Sequence, residues 1–209
     1  MRTRTEPQHR RHAPAAGPEG NEHLTAMTGA VLLLGFAVEG ITILEIHRLI
    51  WLHFVIGFLL IGPVLLKIGS TTYRFARYYA GAPDYRRKGP PAPLLRILGP
   101  LVVLTSVAVL GTGVLLALAG PGGQGNWLFL HKAAFVLWFG VMTIHVVAYA
   151  PRLPRLLLRG RDRARPAPAA APGGAARYLA LGGALAGGIG VAALAMHLSD
   201  QWNGGFFFH

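Results

Sequence analysis

Five long apolar stretches separated by short polar or basic segments dominate the chain, at residues 24–46, 50–69, 95–119, 130–150 and 178–198. A helix needs about 20 apolar residues to cross the hydrocarbon core of a bilayer, so each stretch predicts a spanning helix and together they predict an all-α integral membrane protein. The second and fourth stretches resemble one another. LHFVIGFLLIGPVLLKIGSTTYRFARYYAG opens with Leu52-His53, and LHKAAFVLWFGVMTIHVVAYAPRLPRLLLRG opens with Leu130-His131. Each follows a span that carries a Thr-Gly pair, Thr28-Gly29 or Thr112-Gly113, and each runs on into a basic segment bearing aromatics. This weak internal repeat pairs His53 with His131 and Lys67 with His145.

The expected fold is therefore a four-helix transmembrane bundle of two repeated hairpins over residues 23–150, plus a fifth C-terminal transmembrane helix at 178–198. The segment 151–177 reads as a basic, flexible Pro/Ala/Gly-rich linker. On the last span Gly183 and Gly187 stand four residues apart, a spacing that lets two helix backbones approach closely. Residues 1–22 are polar and Pro/Gly-rich, with no apolar run leading to a small-residue cleavage site. They read as a disordered tail and not a signal peptide, with the first helix retained.

Charge sets the expected orientation. The chain has 209 residues, 53% hydrophobic and 13% charged, with a net charge of +12. Of its twenty Lys/Arg, four lie in the N-terminal tail, seven between Lys67 and Arg96 and seven between Arg152 and Arg177, leaving only Arg48 and Lys132 elsewhere. Lys/Arg-rich loops stay on the cytoplasmic side. The N-terminus and the 70–94 and 151–177 segments are accordingly expected inside. The turns at 45–50 and 120–130 and the C-terminal tail 199–209 are expected outside. The basic excess is explained by topology in a cell membrane, with attraction to anionic headgroups, and gives no reason to expect nucleic acid. With no cysteine, covalent c-type haem attachment, cysteine-ligated iron-sulfur clusters and disulfides are excluded.

The histidines carry the candidate chemistry. Fourteen residues separate His131 from His145, just under four helical turns, so both project from nearly the same face about 21 Å apart along the axis. Ionisable side chains inside a span are costly, and as a rule they face the bundle interior. The second and fourth spans run in the same direction, which puts His53 and His131 at one depth near the outer leaflet and Lys67 and His145 at another near the inner one. A haem held between two helices needs one imidazole nitrogen on each side of its iron, at matching depth and within an apolar wall. His53 and His131 meet that demand.

Here the pattern resembles the membrane b-type cytochromes, a broad group that includes the cytochrome b of quinol-oxidising respiratory complexes and the smaller four-helix di-haem membrane subunits of oxidoreductases. The resemblance covers roughly residues 24–150 and rests on His131-x13-His145 in one helix and His53 with Lys67 in another. It implies haem b ligated by His53, His131 and His145, with Lys67 where the family has a fourth histidine. It also implies that Gly29 and Gly113 let a porphyrin lie close to the backbone. Three states follow: one outer haem; a second, inner haem with Lys67 as ligand; or an inner haem with His145 as its only strong ligand. Arg74, Arg77 and Arg152 could pair with propionates of an inner haem, although the cytoplasmic excess of cations also explains them. The implied function is transmembrane electron transfer, with a redox partner protein or quinone and a place in a larger oxidoreductase.

The remaining polar residues add less. His47, His23 and His197 are expected at span ends, and His9, His12 and His209 in solvated termini. Glu39 and Glu45 read as outer-end residues of the first helix. Tyr73, Tyr78, Tyr79, Tyr149, Trp51 and Trp127 fit interfacial aromatic belts. Trp202 and Phe206–Phe208 could dock a partner or anchor the tail at the interface. No hydrolase triad, His-Glu-x-x-His zinc motif or phosphate-binding glycine loop is present. The alternative to a cytochrome is a haem-free membrane scaffold or small transporter in which the histidines and Lys67 form a polar relay.

Overall fold

A computed structural model describes residues 18–87, 89, 93–150 and 174–202. These form six helices: α1 (Pro18–Leu44), α2 (Ile46–Tyr79), the short α3 (Pro83–Arg87), α4 (Pro93–Gly123), α5 (Gly125–Tyr149) and α6 (Gly174–Asp200). All but α3 are long and apolar enough to cross a bilayer. The chain is thus a multi-pass helical membrane protein. Leu34, Leu104, Val136 and Leu194, on four different helices, are 65–78% exposed. Apolar surface on that scale fits contact with lipid.

The helices are longer than the apolar stretches alone suggest. Helix α1 starts at Pro18, inside the segment read as a polar tail, and α2 continues ten residues past the expected end at 69. At 1.5 Å per residue its 34 residues span about 51 Å. A bilayer core takes about 30 Å, so this helix is longer than the core is thick. At its C-terminal end α3 folds back, and the buried Tyr85 lies edge-on to Tyr73, with Arg77 over its ring.

Two turns are sharp. Only Glu45 separates α1 from α2, and Leu49 leaves helical geometry just inside α2. The α4–α5 turn is made at Gly120 (φ 66°), a conformation glycine adopts without the Cβ clash of other residues, followed by Pro121.

Helix α2 is the hub, packing on α1, α4 and most extensively on α6, while α5 pairs with α4. The α2–α6 contact is backbone on backbone. Pro63 has no N–H, which frees the Leu59 carbonyl one turn earlier. Gly188 of α6 lies directly against that carbonyl, and Gly62 of α2 against the Ala184 carbonyl, so a Cβ at either glycine would collide with backbone. The small-residue register is therefore Ala184 and Gly188; Gly183 and Gly187, expected from spacing, face open space. A compact apolar cluster of Leu32, Leu60 and Val64, with Phe36, Ile56, Ile68 and Leu110 around it, joins α1, α2 and α4 at mid-height.

Trp202, just beyond α6, is buried with its ring 6.3 Å from that of Phe54. It is packed inside the protein and does not form an exposed docking surface. Phe206–Phe208 and the 151–173 linker lie outside the described residues.

Candidate haem-ligating site

His53 sits in the third turn of α2 and His131 in the second turn of α5, and the structure brings them together with ring centroids 6.3 Å apart and planes inclined by 73°. An imidazole nitrogen lies about 1.1 Å from its ring centre and a metal–nitrogen bond is about 2.0 Å. Two rings on opposite sides of one metal therefore stand about 6 Å apart centre to centre, by the same metal–nitrogen length. That separation is also ordinary for an edge-to-face ring pair. What distinguishes this pair is the way its other nitrogens are held.

His53 Nδ1 lies 2.9 Å from Thr42 Oγ1 and 3.0 Å from Glu39 Oε1, both on α1. Thr42 has one hydroxyl hydrogen and donates it to the Glu39 carbonyl at 2.6 Å, so towards His53 it accepts. His131 Nδ1 lies 3.1 Å from the Val109 carbonyl and 3.2 Å from Thr112 Oγ1 on α4. A carbonyl only accepts, and the Thr112 hydroxyl already donates to Ala108 O at 2.7 Å. Each Nδ1 is thus a donor, and in a neutral ring the lone pair is left on Nε2. Among the described residues neither Nε2 makes a hydrogen bond. Fixing one ring nitrogen so that the other is free to ligate is the usual support of a metal-binding histidine.

Glycines make the room. A Cβ at Gly57, one turn after His53, would lie 3.2 Å from Glu39 Oε1, and one at Gly113 would lie 3.0 Å from the His131 ring. Gly113 therefore borders the histidine itself. Gly29, its counterpart in the repeat, is at the other level of the bundle, where a Cβ would lie 3.0 Å from Lys67 Nζ. The two Thr-Gly pairs do not occupy equivalent depths: one borders Lys67 and the other His131.

The Lys67 level is built differently. Lys67 Nζ donates to the Thr25 carbonyl of α1 at 2.6 Å, Asn21 Nδ2 donates to the Ser70 carbonyl at 3.0 Å, and Thr25 Oγ1 donates to Ser70 Oγ at 3.1 Å. Lysine here clamps α1 to α2. His145 lies near the end of α5. Its ring packs 4.8 Å from Tyr149, and its buried Nδ1 has no partner among the described residues. Arg74 reaches Glu22 at 3.9 Å in a half-exposed pair of the kind that contributes little stability. Arg152 lies outside the described residues.

Between the levels, Trp138 stands seven residues from each α5 histidine and hence on their face. It is buried, donates to Ser106 Oγ at 3.0 Å and packs 4.6 Å from Phe36. Like the Leu32/Leu60/Val64 cluster, it belongs to the buried packing between the two levels.

Glu39 and Thr42 are the site residues that sequence reasoning missed. Glu39 does not sit at a solvated helix end; its side chain is 15% exposed and faces His53. The available signal was a carboxylate and a threonine three residues apart inside an apolar span, a polar face that costs energy unless it has a partner.

Among the described residues no three His, Cys, Asp or Glu side chains converge on one point. A bare zinc-type ion asks three or four ligands of the protein, whereas a porphyrin-bound iron has four equatorial nitrogens already and asks only two axial ones. Two imidazoles with centroids 6.3 Å apart match the second demand in number and spacing. No protein-family model, curated protein or solved structure matches the chain.

Proposed function

We propose that the protein is a membrane electron-transfer cytochrome that holds one haem b, non-covalently, between His53 and His131. The observation that carries this reading is the pair of histidines 6.3 Å apart, each with Nδ1 anchored as a donor and Nε2 without a partner among the described residues. When bound, haem supplies reversible one-electron chemistry at its iron. The protein's part is ligation, orientation and dielectric. His53 and His131 would hold the iron through their Nε2 atoms. Glu39, Thr42, Thr112 and the Val109 carbonyl fix the two ring orientations, and Gly57 and Gly113 give those groups space. The four-helix unit α1, α2, α4 and α5 is the haem-binding bundle, with α6 bracing α2.

A single haem is favoured because the two levels differ. At the Lys67 level the amine is committed to the Thr25 carbonyl, and the His145 ring lacks the anchored Nδ1 found in both upper histidines. With the basic segments cytoplasmic and the C-terminus extracytoplasmic, the site lies toward the outer leaflet. Its partners are a donor or acceptor protein or a quinone, in keeping with a membrane subunit of a larger oxidoreductase. A haem-free polar relay is supported less well, because the Leu32/Leu60/Val64 layer, with Leu60 1% exposed, interrupts any polar path from one level to the other.

The test is a reduced-minus-oxidised optical spectrum of the purified protein, with pyridine haemochrome quantitation. The expected result is a b-type spectrum with about one haem per chain, the stoichiometry of a single pair of axial nitrogens. A folded, colourless protein would reject the reading, and a ratio near two would place iron at the Lys67 level as well.

A further inference from the structure

The far end of α2 folds into an elbow in which three arginines are gathered around one ring. Gly81, at φ 85°, turns the chain back through the left-handed region that other residues enter only with strain. The Ala82 N–H donates to the Arg77 carbonyl at 3.1 Å, and the N–H groups of Tyr85 and Arg86 donate to the Ala82 carbonyl at 3.1 and 3.0 Å. Helix α3 is thereby held against α2. Tyr85 is the buried pin, edge-on to Tyr73, with the Arg77 guanidinium 5.8 Å from its ring centre. A Cβ at Gly81 would lie 3.5 Å from the Arg86 guanidinium, so this cation rests against the turn. Arg77, Arg86 and Arg87 are exposed, and none has a carboxylate partner among the described residues. Asp84, in the first turn of α3, forms no ion pair with them there. A cytoplasmic excess of cations accounts for arginines on this side, but not for their being folded together on a buried tyrosine.

We propose that this elbow, whether or not haem is bound, holds the phosphate of an anionic phospholipid on Arg77 and Arg86, with Arg87 adding to the local positive field. Guanidinium groups present paired N–H donors that match phosphate oxygens. Arginines already placed by a packed turn lose less freedom on binding than arginines on a loose chain. Tyr73 stands four residues before Arg77 and so on the same face of α2, one turn nearer the apolar part of the helix, and it is 45% exposed. The glycerol and first acyl carbons of a lipid would meet that ring, whereas a soluble phosphate would engage the arginines alone. This apolar neighbour, on a helix that crosses the bilayer, favours lipid over a free anion. With the basic segments cytoplasmic, as proposed above, the leaflet concerned is the one that concentrates anionic lipid.

Native mass spectrometry of the delipidated full chain, offered equal amounts of phosphatidylglycerol and phosphatidylcholine, tests this. Wild type is expected to retain phosphatidylglycerol in preference. One cation near a membrane surface strengthens binding of anionic lipid about fivefold. Arg77→Gln and Arg86→Gln should therefore each hold phosphatidylglycerol about fivefold more weakly, by that same factor, and the double variant more weakly still. Arg48→Gln removes the same charge at the opposite end of α2 and should leave retention unchanged. Arg86 lies outside the Arg77–Tyr85 stack, so Arg86→Gln decides alone if Arg77→Gln does not fold. Equal retention of the two lipids by wild type, undiminished preference in Arg86→Gln, or an equal loss in Arg48→Gln would overturn the proposal. So would glycerol phosphate that displaces phosphatidylglycerol at equal concentration, because a headgroup without acyl chains would then suffice.

Discussion

Replacing His53 or His131 by alanine is expected to strip the purified protein of haem while leaving the fold in place. Losing a group that merely supports a metal ligand costs roughly 10- to 100-fold in affinity, and losing the ligand itself costs more. Each alanine variant should therefore retain well under a tenth of the wild-type haem, by that same scale. The fold should survive because neither ring belongs to the apolar cluster around Leu60 or to the α2–α6 contact. Far-ultraviolet circular dichroism and gel filtration in detergent check that point. His145→Ala and Lys67→Ala are the comparison. Both remove a titratable group from the other level and should leave the haem content near that of wild type. If His53→Ala and His131→Ala kept their colour while His145→Ala lost it, the site would be at the wrong level.

Much of this arrangement is legible in the sequence, for physical reasons that also set the limit. A span is declared by its length and apolarity, so five helices follow directly from composition along the chain. Parallel direction follows from counting spans, which is enough to bring His53 near His131. Contacts across helices depend on where two helices cross and how each is rotated, and neither is written in a single span. Glu39 could be placed in α1, but its meeting with His53 depends on the one-residue break at Glu45 and the irregular turn at Leu49. Gly29 and Gly113 look equivalent in the repeat, yet one borders Lys67 and the other His131. Lys67 reads as a ligand or a member of a polar relay, and its actual partner, the Thr25 carbonyl, is a backbone atom that no residue pattern announces.

The second large effect concerns α6. Gly188→Leu or Gly62→Leu is expected to force α6 away from α2, because the added side chain would meet the Leu59 or Ala184 carbonyl and not a flexible neighbour. Overpacking typically costs about 1–3 kcal/mol, and a clash with two rigid backbones lies at the upper end. For a chain of this size about 3 kcal/mol corresponds to a fall in melting temperature of roughly 6–12 °C. Gly183→Leu and Gly187→Leu point into open space and should change the melting temperature little. The native chain has no cysteine, so a cysteine pair introduced across the α2–α6 contact reports separation of the helices directly. Equal effects at 183, 187 and 188 would show that the register of α6 differs from the one described.

Low-temperature electron paramagnetic resonance of the oxidised, haem-loaded protein tests the account at its centre, since it reports the two axial ligands of the iron. The expected result is a low-spin spectrum characteristic of two imidazoles, lost on substitution of either His53 or His131. A high-spin, five-coordinate spectrum, or a bis-imidazole spectrum that persists without one of those residues, would contradict it.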